Sequence, residues 1–525
     1  MRRFNTAGPC VPEKHYMLPA LDRLPEVVAL VEQESYFVLH APRQTGKTTA
    51  LRDLATQLCA TGRFAAVYAS CEAGQAAGDD YEAAERVVWH SLWDGAQNRL
   101  PTALRPPAVD TAAVPGAFLQ RCLSAWSRAC PLPLVLLLDE IDALMGQSLI
   151  SVLRQLRVGF PDRPAAFPSS VILCGLRDVR DYKTASGGEP GRLGSASPFN
   201  VKVKSIRLRN FEEEEVRRLY SQHTAETGQI FEAAALARAF ELSGGQPWLV
   251  NALAREVVEE IGVPVREPVT VAHLDQAVER LVLARATHLD SLAARLAEDR
   301  VRRVLEPVLA GSFGETPADV YDDDLQYVRD LGLVAQGPPV RVANAIYREV
   351  IVRVLAGSLE QRLPVPEQHS FVLPDGRLDM RRVLAEFAAF WRQHGEILAG
   401  TANWREVAAQ LVLMAWLQRI VNGGGYVDRE YGIGRGRIDL LVRWPHGTPR
   451  RWQREALELK VWAPGRKDPM PEGLAQLDGY LDRLGLDTGT LVVFDRRPEA
   501  EEPELRTGLA EARTPSGRTI TLLRA

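Results

Sequence analysis

The chain has 525 residues, of which 46% are hydrophobic and 25% charged, with a formal net charge of −4 at pH 7. This length is too great for one hydrophobic core and predicts about three or four domains. The nearly balanced charge excludes a global attraction to nucleic acid, so a nucleic-acid surface would have to be a local patch. No apolar run is long enough to span a bilayer, and we expect no membrane association.

The six cysteines show no C-x-x-C spacing, and none lies in the last two-thirds of the chain. A disulfide framework normally spreads its cysteines through a small secreted domain. The pattern therefore predicts reduced thiols in a cytoplasmic protein.

Short apolar runs alternate with helix-like segments in the first part of the chain. This alternation predicts a parallel sheet covered by helices on both faces. The predicted strands lie at 36–41, 64–70, 134–138 and 170–174.

The first predicted strand runs into A-P-R-Q-T-G-K-T at residues 41–48. This matches the phosphate loop G-x-x-x-x-G-K-[S/T], except that Ala41 replaces the first glycine. Backbone N–H groups around Gly46 and the following helix N-terminus can hold phosphate oxygens. We expect Lys47 to reach the β- and γ-phosphates and Thr48 to bind Mg²⁺. The predicted nucleotide contacts are Gln44, Thr45, Gly46, Lys47, Thr48 and Thr49.

A second half of this site is predicted at L-V-L-L-L-D-E, residues 134–140. An apolar strand that ends in acids places Asp139 near Mg²⁺ and lets Glu140 position or activate the attacking water. The later run V-I-L-C-G-L-R-D-V-R brings Arg177 and Arg180 to the same sheet edge. Either arginine could sense the γ-phosphate, and a surface ion pair is the alternative for each.

Helical periodicity follows from Asn210, a plausible N-cap, to about residue 310. Residues 321–357 then read as helix, short strand, turn, short strand and helix, which is a winged-helix-like pattern. The segment L-P-V-P-E-Q at 363–368 resembles a linker, and a final α/β unit follows it.

The last unit contains a second phosphate-chemistry pattern. Asp439 lies on one apolar strand-like run, and Glu458 and Lys460 lie two apart on the next, so both face the same side. The turn P-H-G-T-P-R between the runs predicts a hairpin. Two carboxylates can hold Mg²⁺, and a lysine can activate water or steady a phosphate, which suits phosphodiester hydrolysis. A structural salt bridge between Glu458 and Lys460 is the alternative.

The first part of the chain resembles the AAA-like P-loop ATPases of the archaeal-ATPase and signal-transduction (STAND) group. The likeness is carried by A-P-R-Q-T-G-K-T-T, L-L-L-D-E-I-D, G-L-R-D-V-R and G-G-Q-P-W-L-V, and covers residues 1 to about 355. It implies that Pro247 begins a lid helix near the nucleotide. It also makes His15 and Tyr16 candidates for adenine contact, with plain packing as the alternative.

Residues 385–500 resemble the PD-(D/E)XK nuclease superfamily, although Ile438 stands where a proline often precedes the aspartate. The resemblance implies metal ligation by Asp439 and Glu458 and catalysis by these acids together with Glu406, Lys460 and Gln476. Tyr480 completes the Q-x-x-x-Y pattern of the family and is an expected nucleic-acid contact. Arg435 and Arg437 precede the Asp439 strand and suit phosphate contact, with a solvated hairpin edge as the alternative.

The sequence thus predicts a multidomain α/β protein that binds and hydrolyses ATP and cleaves nucleic acid, with DNA as the expected substrate, under nucleotide control. The cofactors are ATP and Mg²⁺, with Mn²⁺ as a second metal for the nuclease site, and a homo-oligomer is expected. Defence or DNA repair is the setting suggested by analogy. The alternative is a signalling scaffold or DNA-binding regulator that binds without cutting. The predicted domains are an ATPase core at 1–209, a helical lid at 210–300, a winged-helix-like segment at 301–362, a linker at 363–379, and a restriction-endonuclease-like α/β domain at 380–525.

Overall fold

The structure is a computed structural model and divides into two compact units. The first contains Met1–His288, Gln326–Val334 and Ala343–Ile346, and the second contains Leu289–Leu325, Ala335–Val342 and Tyr347–Ala525. The structure describes residues 1–108, 114–176, 201–284, 289, 292, 294–309, 323–360, 371–395, 408–421, 424–433, 436–447, 451–462, 464–497 and 499–525. No helix within these ranges is both long and apolar enough to cross a membrane.

A parallel sheet forms the centre of the first unit. Among the described residues it has five strands in the order β2-β3-β4-β1-β5, and every neighbouring pair is parallel. The first four strands are almost entirely buried and apolar, as expected for a sheet covered on both faces. The predicted parallel sheet is confirmed. Its strands are β1 (Tyr36–His40), β2 (Ala65–Ser70), β3 (Leu134–Asp139), β4 (Ser170–Gly175) and β5 (Lys204–Arg207).

Two hydrophobic cores cover the two faces of this sheet. Tyr36 and Val38 belong to one core and Phe37 and Leu39 to the other, because successive side chains of a strand point to opposite faces. The first core includes α3 (Tyr81–Arg99), α4 (Phe118–Ala129) and α5 (Gly146–Val158); the second includes α1 (Val27–Glu32) and α2 (Lys47–Ala60). Because β1, β3 and β4 are parallel neighbours, their C-terminal ends lie at one sheet edge.

A helical segment follows the sheet. Its first helix is capped by Glu212, not by Asn210 as the sequence suggested. The Glu212 side chain accepts from the helix backbone, and the Glu215 side chain accepts from the Glu212 N–H at 2.8 Å. This reciprocal pair satisfies two N-terminal donors at once, which explains why it prevails over a lone asparagine. The helices are α6 (Glu213–Thr227), α7 (Ala233–Ser243), α8 (Pro247–Arg255) and α9 (Val271–Leu283).

The next described α-helices along the chain are α10 (Asp299–Leu309), α11 (Asp323–Asp330) and α12 (Ala345–Glu360). Between α11 and α12 the chain turns back on itself. The N–H of Ala343 donates to the carbonyl of Leu333 at 2.9 Å, and that of Ala335 donates to the carbonyl of Arg341 at 2.8 Å. The winged-helix assignment stays a prediction.

The second unit contains a mixed sheet. Its described part has six strands in the order β10-β11-β9-β8-β7-β6. The predicted hairpin is confirmed, because β7 and β8 are antiparallel with Leu440 opposite Leu457. The next strand, β9, then lies parallel to β8. The strands are β6 (Tyr426–Ile433), β7 (Gly436–His446), β8 (Arg451–Trp462), β9 (Thr490–Asp495), β10 (Gly508–Arg513) and β11 (Thr519–Arg524).

Helix α15 (Met470–Leu484) connects β8 to β9 and covers one face of this sheet. Its Leu477 and Leu481 pack in a buried cluster with Leu491 and Val493 of β9. Other described α-helices of this part of the chain are α13 (Met380–Phe390), α14 (Ala408–Val421) and the short α16 (Pro503–Arg506). Leu378, just before α13, exchanges backbone hydrogen bonds with the Gln453 side chain of β8. The segment that leads into α13 is therefore anchored to the sheet.

Candidate nucleotide and metal sites

The phosphate loop connects β1 to α2 and depends on backbone conformations that few residues adopt. Gly46 has φ +90°, and a Cβ at this position would lie 3.2 Å from Nη2 of Arg23. Gln44 also has a positive φ, of 58°. Ala41 does not need a positive φ, and its N–H donates to the Gly175 carbonyl. Alanine therefore replaces the usual first glycine without backbone strain.

Lys47 is folded beneath this loop. Its side chain is buried, and Nζ donates to the carbonyls of Ala41 at 2.9 Å and Pro42 at 3.1 Å. The Thr45 hydroxyl donates to the same Pro42 carbonyl at 2.9 Å. The lysine thus brings a positive charge into the loop, where an anionic phosphate can replace the neutral carbonyls as its partner.

The oxygen atoms predicted to bind Mg²⁺ lie together. The Thr48 hydroxyl donates to Oδ2 of Asp139 at 2.7 Å, and the Tyr68 hydroxyl donates to the same oxygen at 3.1 Å. Asp139 is only 1% exposed. A buried carboxylate beside a hydroxyl supplies the hard oxygen ligands that Mg²⁺ prefers. Thr48 and Asp139 are the residues that would hold the ion.

Glu140 follows directly at the end of β3. Its backbone has φ +51°, an uncommon conformation for a non-glycine residue that is often found at functional sites. Burial raises the pKa of its carboxyl, and Lys47 partly opposes this change. A carboxyl with a raised pKa at the edge where phosphates would lie suits the predicted role of positioning or activating water.

Helix α8 contributes a second side to the site. Pro247 is its first residue, and Gln246 is its N-cap. The Gln246 amide donates to the Gln44 carbonyl in the phosphate loop at 3.4 Å. Gly245 has φ +69°, and a Cβ there would clash with the Phe211 carbonyl at 1.9 Å. The G-G-Q-P pattern therefore brings the start of this helix against the loop.

Thr49, Tyr16 and Arg177 are also candidate nucleotide contacts from the sequence. Thr49 accepts a hydrogen bond from the Cys10 N–H at 3.1 Å, so it also holds the N-terminal segment. Tyr16 is buried, with its hydroxyl on Glu226 at 3.1 Å and its ring against His223, which is the packing alternative. Arg177 lies outside the described residues.

The second candidate site lies on β7 and β8. Oδ2 of Asp439 accepts the N–H of Leu459 at 2.7 Å, which holds this carboxylate beside the strand that carries Glu458 and Lys460. Lys460 Nζ lies 3.0 Å from Oε1 of Glu458. The other oxygen, Oε2, is buried and has no hydrogen-bond partner among the described residues. A buried carboxylate oxygen of this kind is costly unless it is protonated or a cation binds it, so this site fits a divalent metal.

The electrostatics of this site centre on Glu458, which is 3% exposed. Burial, and secondarily the nearby charge of Asp439, raise the pKa of the Glu458 carboxyl to about 7, although Lys460 opposes the shift. No group of three or more acidic, histidine or cysteine side chains in the described ranges is arranged to hold a metal. The third predicted acid, Glu406, lies outside those ranges. Asp439 and Glu458 are thus the two described carboxylates that would hold the ion.

Helix α15 brings the predicted Gln476 to the same place. Lys460 Nζ donates to Oε1 of Gln476, and Nε2 of Gln476 donates to Glu472 at 3.2 Å. Tyr480, one turn later, packs partly buried against the core of this unit. Arg435 and the side chain of Arg437 lie outside what the structure describes, so their contacts stay predictions.

Three further residues support these sites without having been expected from the sequence. Arg23 donates to the Thr45 carbonyl at 3.1 Å, and Tyr68 reaches Asp139. Gly473 allows α15 to approach β9 and β8, because a Cβ there would lie 2.7 Å from Leu491 and 3.2 Å from Lys460. Each contact joins separate segments of the chain, so no local sequence pattern predicts it.

The parallel sheet, the loop after β1 and the acidic end of β3 decide the fold of the first unit. It is a parallel α/β fold with a P-loop-type phosphate loop. No protein-family model and no curated protein matches the chain.

Solved structures that resemble the chain include a Walker-type ATPase, a branch migration motor and a DNA-bound Orc1 protein. The Walker-type ATPase PABY2304 of Pyrococcus abyssi is 11% identical, covering 66% of this chain and 99% of its own, with a TM-score of 0.48. The Thermotoga maritima RuvB Holliday junction branch migration motor is 14% identical, covering 63% and 92%, with a TM-score of 0.34. The Aeropyrum pernix Orc1 protein, in complex with DNA, is 15% identical, covering 66% and 95%, with a TM-score of 0.33.

Proposed function

We propose that the chain binds and hydrolyses ATP in its first unit and cleaves nucleic acid, with DNA as the substrate, in its second. The observation that carries the second half is that Lys460 joins the buried Glu458 to Gln476, next to the strand that holds Asp439, while Oε2 of Glu458 has no hydrogen-bond partner among the described residues. Such an oxygen is costly in a purely structural ion pair, and a bound metal would supply the partner that it lacks among the described residues.

The ATP half is supported by the shape and charge of the phosphate loop. Backbone N–H groups near Gly46 and the start of α2 provide donors for phosphate oxygens. Lys47 would leave the carbonyls of Ala41 and Pro42 for the β- and γ-phosphates, a stronger charge-assisted interaction. Glu140 would orient the attacking water, and Thr48 and Asp139 would hold Mg²⁺.

In the second half, Asp439 and Glu458 would hold the metal through carboxylate oxygens. The bound ion supplies Lewis acidity toward the phosphodiester and the water. Lys460 is positioned between Glu458 and Gln476, so its ammonium lies beside the metal ligands, where it would stabilise charge on the phosphate or take part in proton transfer. Gln476 would orient this lysine.

The test measures both activities on the full chain. Lys47→Ala removes the charge that meets the phosphates and should abolish ATP binding in calorimetry. Glu140→Gln should bind ATP like wild type but hydrolyse it slowly. Asp439→Ala and Glu458→Ala should each lower Mg²⁺- or Mn²⁺-dependent cleavage of DNA by about a thousandfold or more.

The outcomes separate the proposal from its rivals. Unchanged ATP affinity in Lys47→Ala would remove the nucleotide half. If wild type cuts neither DNA nor RNA with either metal and any nucleotide, the second unit is a binding module, and the scaffold or regulator alternative replaces the nuclease.

A further inference from the structure

The phosphate loop is held from outside by two side chains that belong to neither Walker-type motif. We propose that Arg23 and Gln246 are positioning residues that orient the peptide groups of this loop for the nucleotide phosphates. This inference rests on the ATP-binding half of the proposed function. Neither side chain is expected to touch the nucleotide.

Arg23 ends a short 3-10 helix, Ala20–Arg23, and is 7% exposed. Nη1 donates to the carbonyl of Thr45 at 3.1 Å and to that of Arg209 at 2.9 Å. Its guanidinium carbon lies 4.8 Å from the centre of the Phe211 ring. The side chain is thus fixed by carbonyl oxygens and an aromatic face, with its donors directed at the loop.

A trans peptide group is planar, and its C=O and N–H point in opposite directions. A donor that fixes the Thr45 carbonyl on one side therefore fixes the Gly46 N–H on the other. Glycine at 46 cannot fix its own conformation, because it populates positive and negative φ about equally. Arg23 supplies from outside the constraint that the glycine lacks.

Gln246 acts on the preceding peptide group. Its Nε2 donates to the Gln44 carbonyl at 3.4 Å, which directs the Thr45 N–H the opposite way. Its Oε1 accepts the Leu249 N–H at 2.6 Å and so caps α8. One amide side chain thus joins the start of the predicted lid helix to the phosphate loop, and two consecutive loop peptides are held by two outside donors.

The charge of Arg23 strengthens this arrangement. Burial lowers the pKa of the guanidinium to about 10, opposed by the charge of Glu215, so the group stays protonated at neutral pH. A hydrogen bond from a cation to a carbonyl is stronger than a neutral one. The loop is therefore prepared before a nucleotide arrives, which lowers the ordering cost of binding.

The first experiment compares Arg23→Met with wild type by calorimetry with ATP and ADP. Methionine keeps an apolar stem but has no donor. We expect the Kd for both nucleotides to rise about tenfold or more. Because the loop would hold phosphates in the ground and transition states alike, KM for ATP should rise while kcat stays within about threefold. Arg23→Lys, which keeps an ammonium donor, should recover part of the affinity.

The matched control is Arg218→Met. Arg218 lies on α6 and contacts Asp22, the neighbour of Arg23, but does not reach the phosphate loop in the described contacts. It should bind ATP like wild type. A folded Arg23→Met that also binds ATP and ADP like wild type would overturn the proposal.

Gln246 gives an independent test in case Arg23→Met does not fold. Serine can cap a helix but is too short to reach Gln44, whereas alanine can do neither. Gln246→Ser should keep the melting temperature of wild type yet weaken ATP and ADP binding about threefold or more. Gln246→Ala should lower both the melting temperature and the affinity for ATP and ADP. Wild-type affinity in a folded Gln246→Ser would overturn the proposal. Failure of wild type itself to bind ATP would instead remove the proposed function, so the two failures are distinct.

Discussion

The ammonium of Lys460 donates a hydrogen bond to the side-chain oxygen of Gln476, although the two residues lie 16 apart in sequence and on different elements. Lys460 Nζ also lies 3.0 Å from Glu458, so the lysine is held between a predicted metal ligand and a helix side chain. In a catalytic site this contact would fix where the positive charge meets the phosphate.

Gln476→Ala should therefore lower the nuclease rate about tenfold while leaving metal affinity nearly unchanged. The lysine would keep only its pairing with Glu458, and a small displacement of a reacting group is costly. The measurement is the initial rate of plasmid cleavage with Mg²⁺, beside metal titration by calorimetry. Gln476→Glu keeps an acceptor for Lys460 and should retain more of the rate. Equal cleavage rates for wild type and Gln476→Ala would mean that the hydrogen bond from Lys460 to Gln476 of α15 does not contribute to cleavage.

A second prediction concerns the pH dependence of stability. Burial and Asp439 raise the pKa of Glu458 from its ordinary 4.5 to about 7. The folded state then binds this proton more tightly than the unfolded state, so its contribution is complete below pH 4.5 and is lost as pH rises through about 7. In the metal-free protein, Glu458→Gln should be more stable than wild type at pH 8, by about 3 kcal/mol, and similar to it at pH 4.5.

Chemical denaturation in EDTA at the two pH values would measure this difference. Glu511→Gln serves as the control, because that side chain is 70% exposed and should show no pH-dependent gain. If Glu458→Gln is less stable than wild type at pH 8, the ion pair with Lys460 outweighs the cost of burying the carboxylate.

Two glycines on α15 give a matched pair for the packing of the candidate nuclease site. A Cβ on Gly473 would lie 2.7 Å from Leu491, whose side chain is buried, and 3.2 Å from Lys460, whereas nothing lies within 4 Å of one on Gly479. Gly473→Ala should destabilise the protein by about 1–3 kcal/mol and displace Lys460 from Gln476. Gly479→Ala should stabilise it by about 0.5–1 kcal/mol, because alanine favours a helix. Urea denaturation midpoints would compare them. Similar midpoints would show that Gly473 does not set the distance between helix and strand.

The parts of the fold that could be predicted are those that short, local sequence patterns determine. A G-K-T between a strand and a helix, acids after an apolar strand, and an E-x-K on a hairpin strand each fix several side chains through backbone geometry alone. The phosphate-loop residues and the pair Glu458–Lys460 followed from such patterns.

The parts that could not be predicted depend on tertiary contacts. Nothing in A-L-D-R indicates that Arg23 will reach the carbonyl of Thr45, which lies 22 residues away. Likewise Asn210 has the chemistry of a helix cap, yet two glutamates that cap reciprocally satisfy more donors. Local propensity indicates which side chains could form a cap or a contact. The packing of distant segments determines which of them do.

The last prediction concerns coupling between the two activities. Within the first unit, Gly332 packs against Pro42 of the phosphate loop, since a Cβ on this glycine would lie 2.6 Å from the proline ring. A Cβ on Gly244, at the start of the G-G-Q-P turn, would lie 2.9 Å from the Ala343 carbonyl oxygen. The chain between α11 and α12 therefore contacts both the loop and the turn before α8, and α12 continues from there toward the C-terminal sequence.

We therefore expect nucleotide state to change the nuclease rate about tenfold or more, because rearrangement of the loop would shift the segment packed on it. The test uses full-length wild type, Lys47→Ala and Glu140→Gln on one DNA substrate, with and without ATP, and Asp439→Ala as the inactive control. Glu140→Gln with ATP would keep the nucleotide site occupied, and Lys47→Ala would keep it empty. Wild type that hydrolyses ATP passes through both states. The nuclease rate of one variant should therefore be higher than that of wild type, and the rate of the other should be lower. Cleavage rates that are the same for all three proteins, whether or not ATP is present, would show that the two sites work independently.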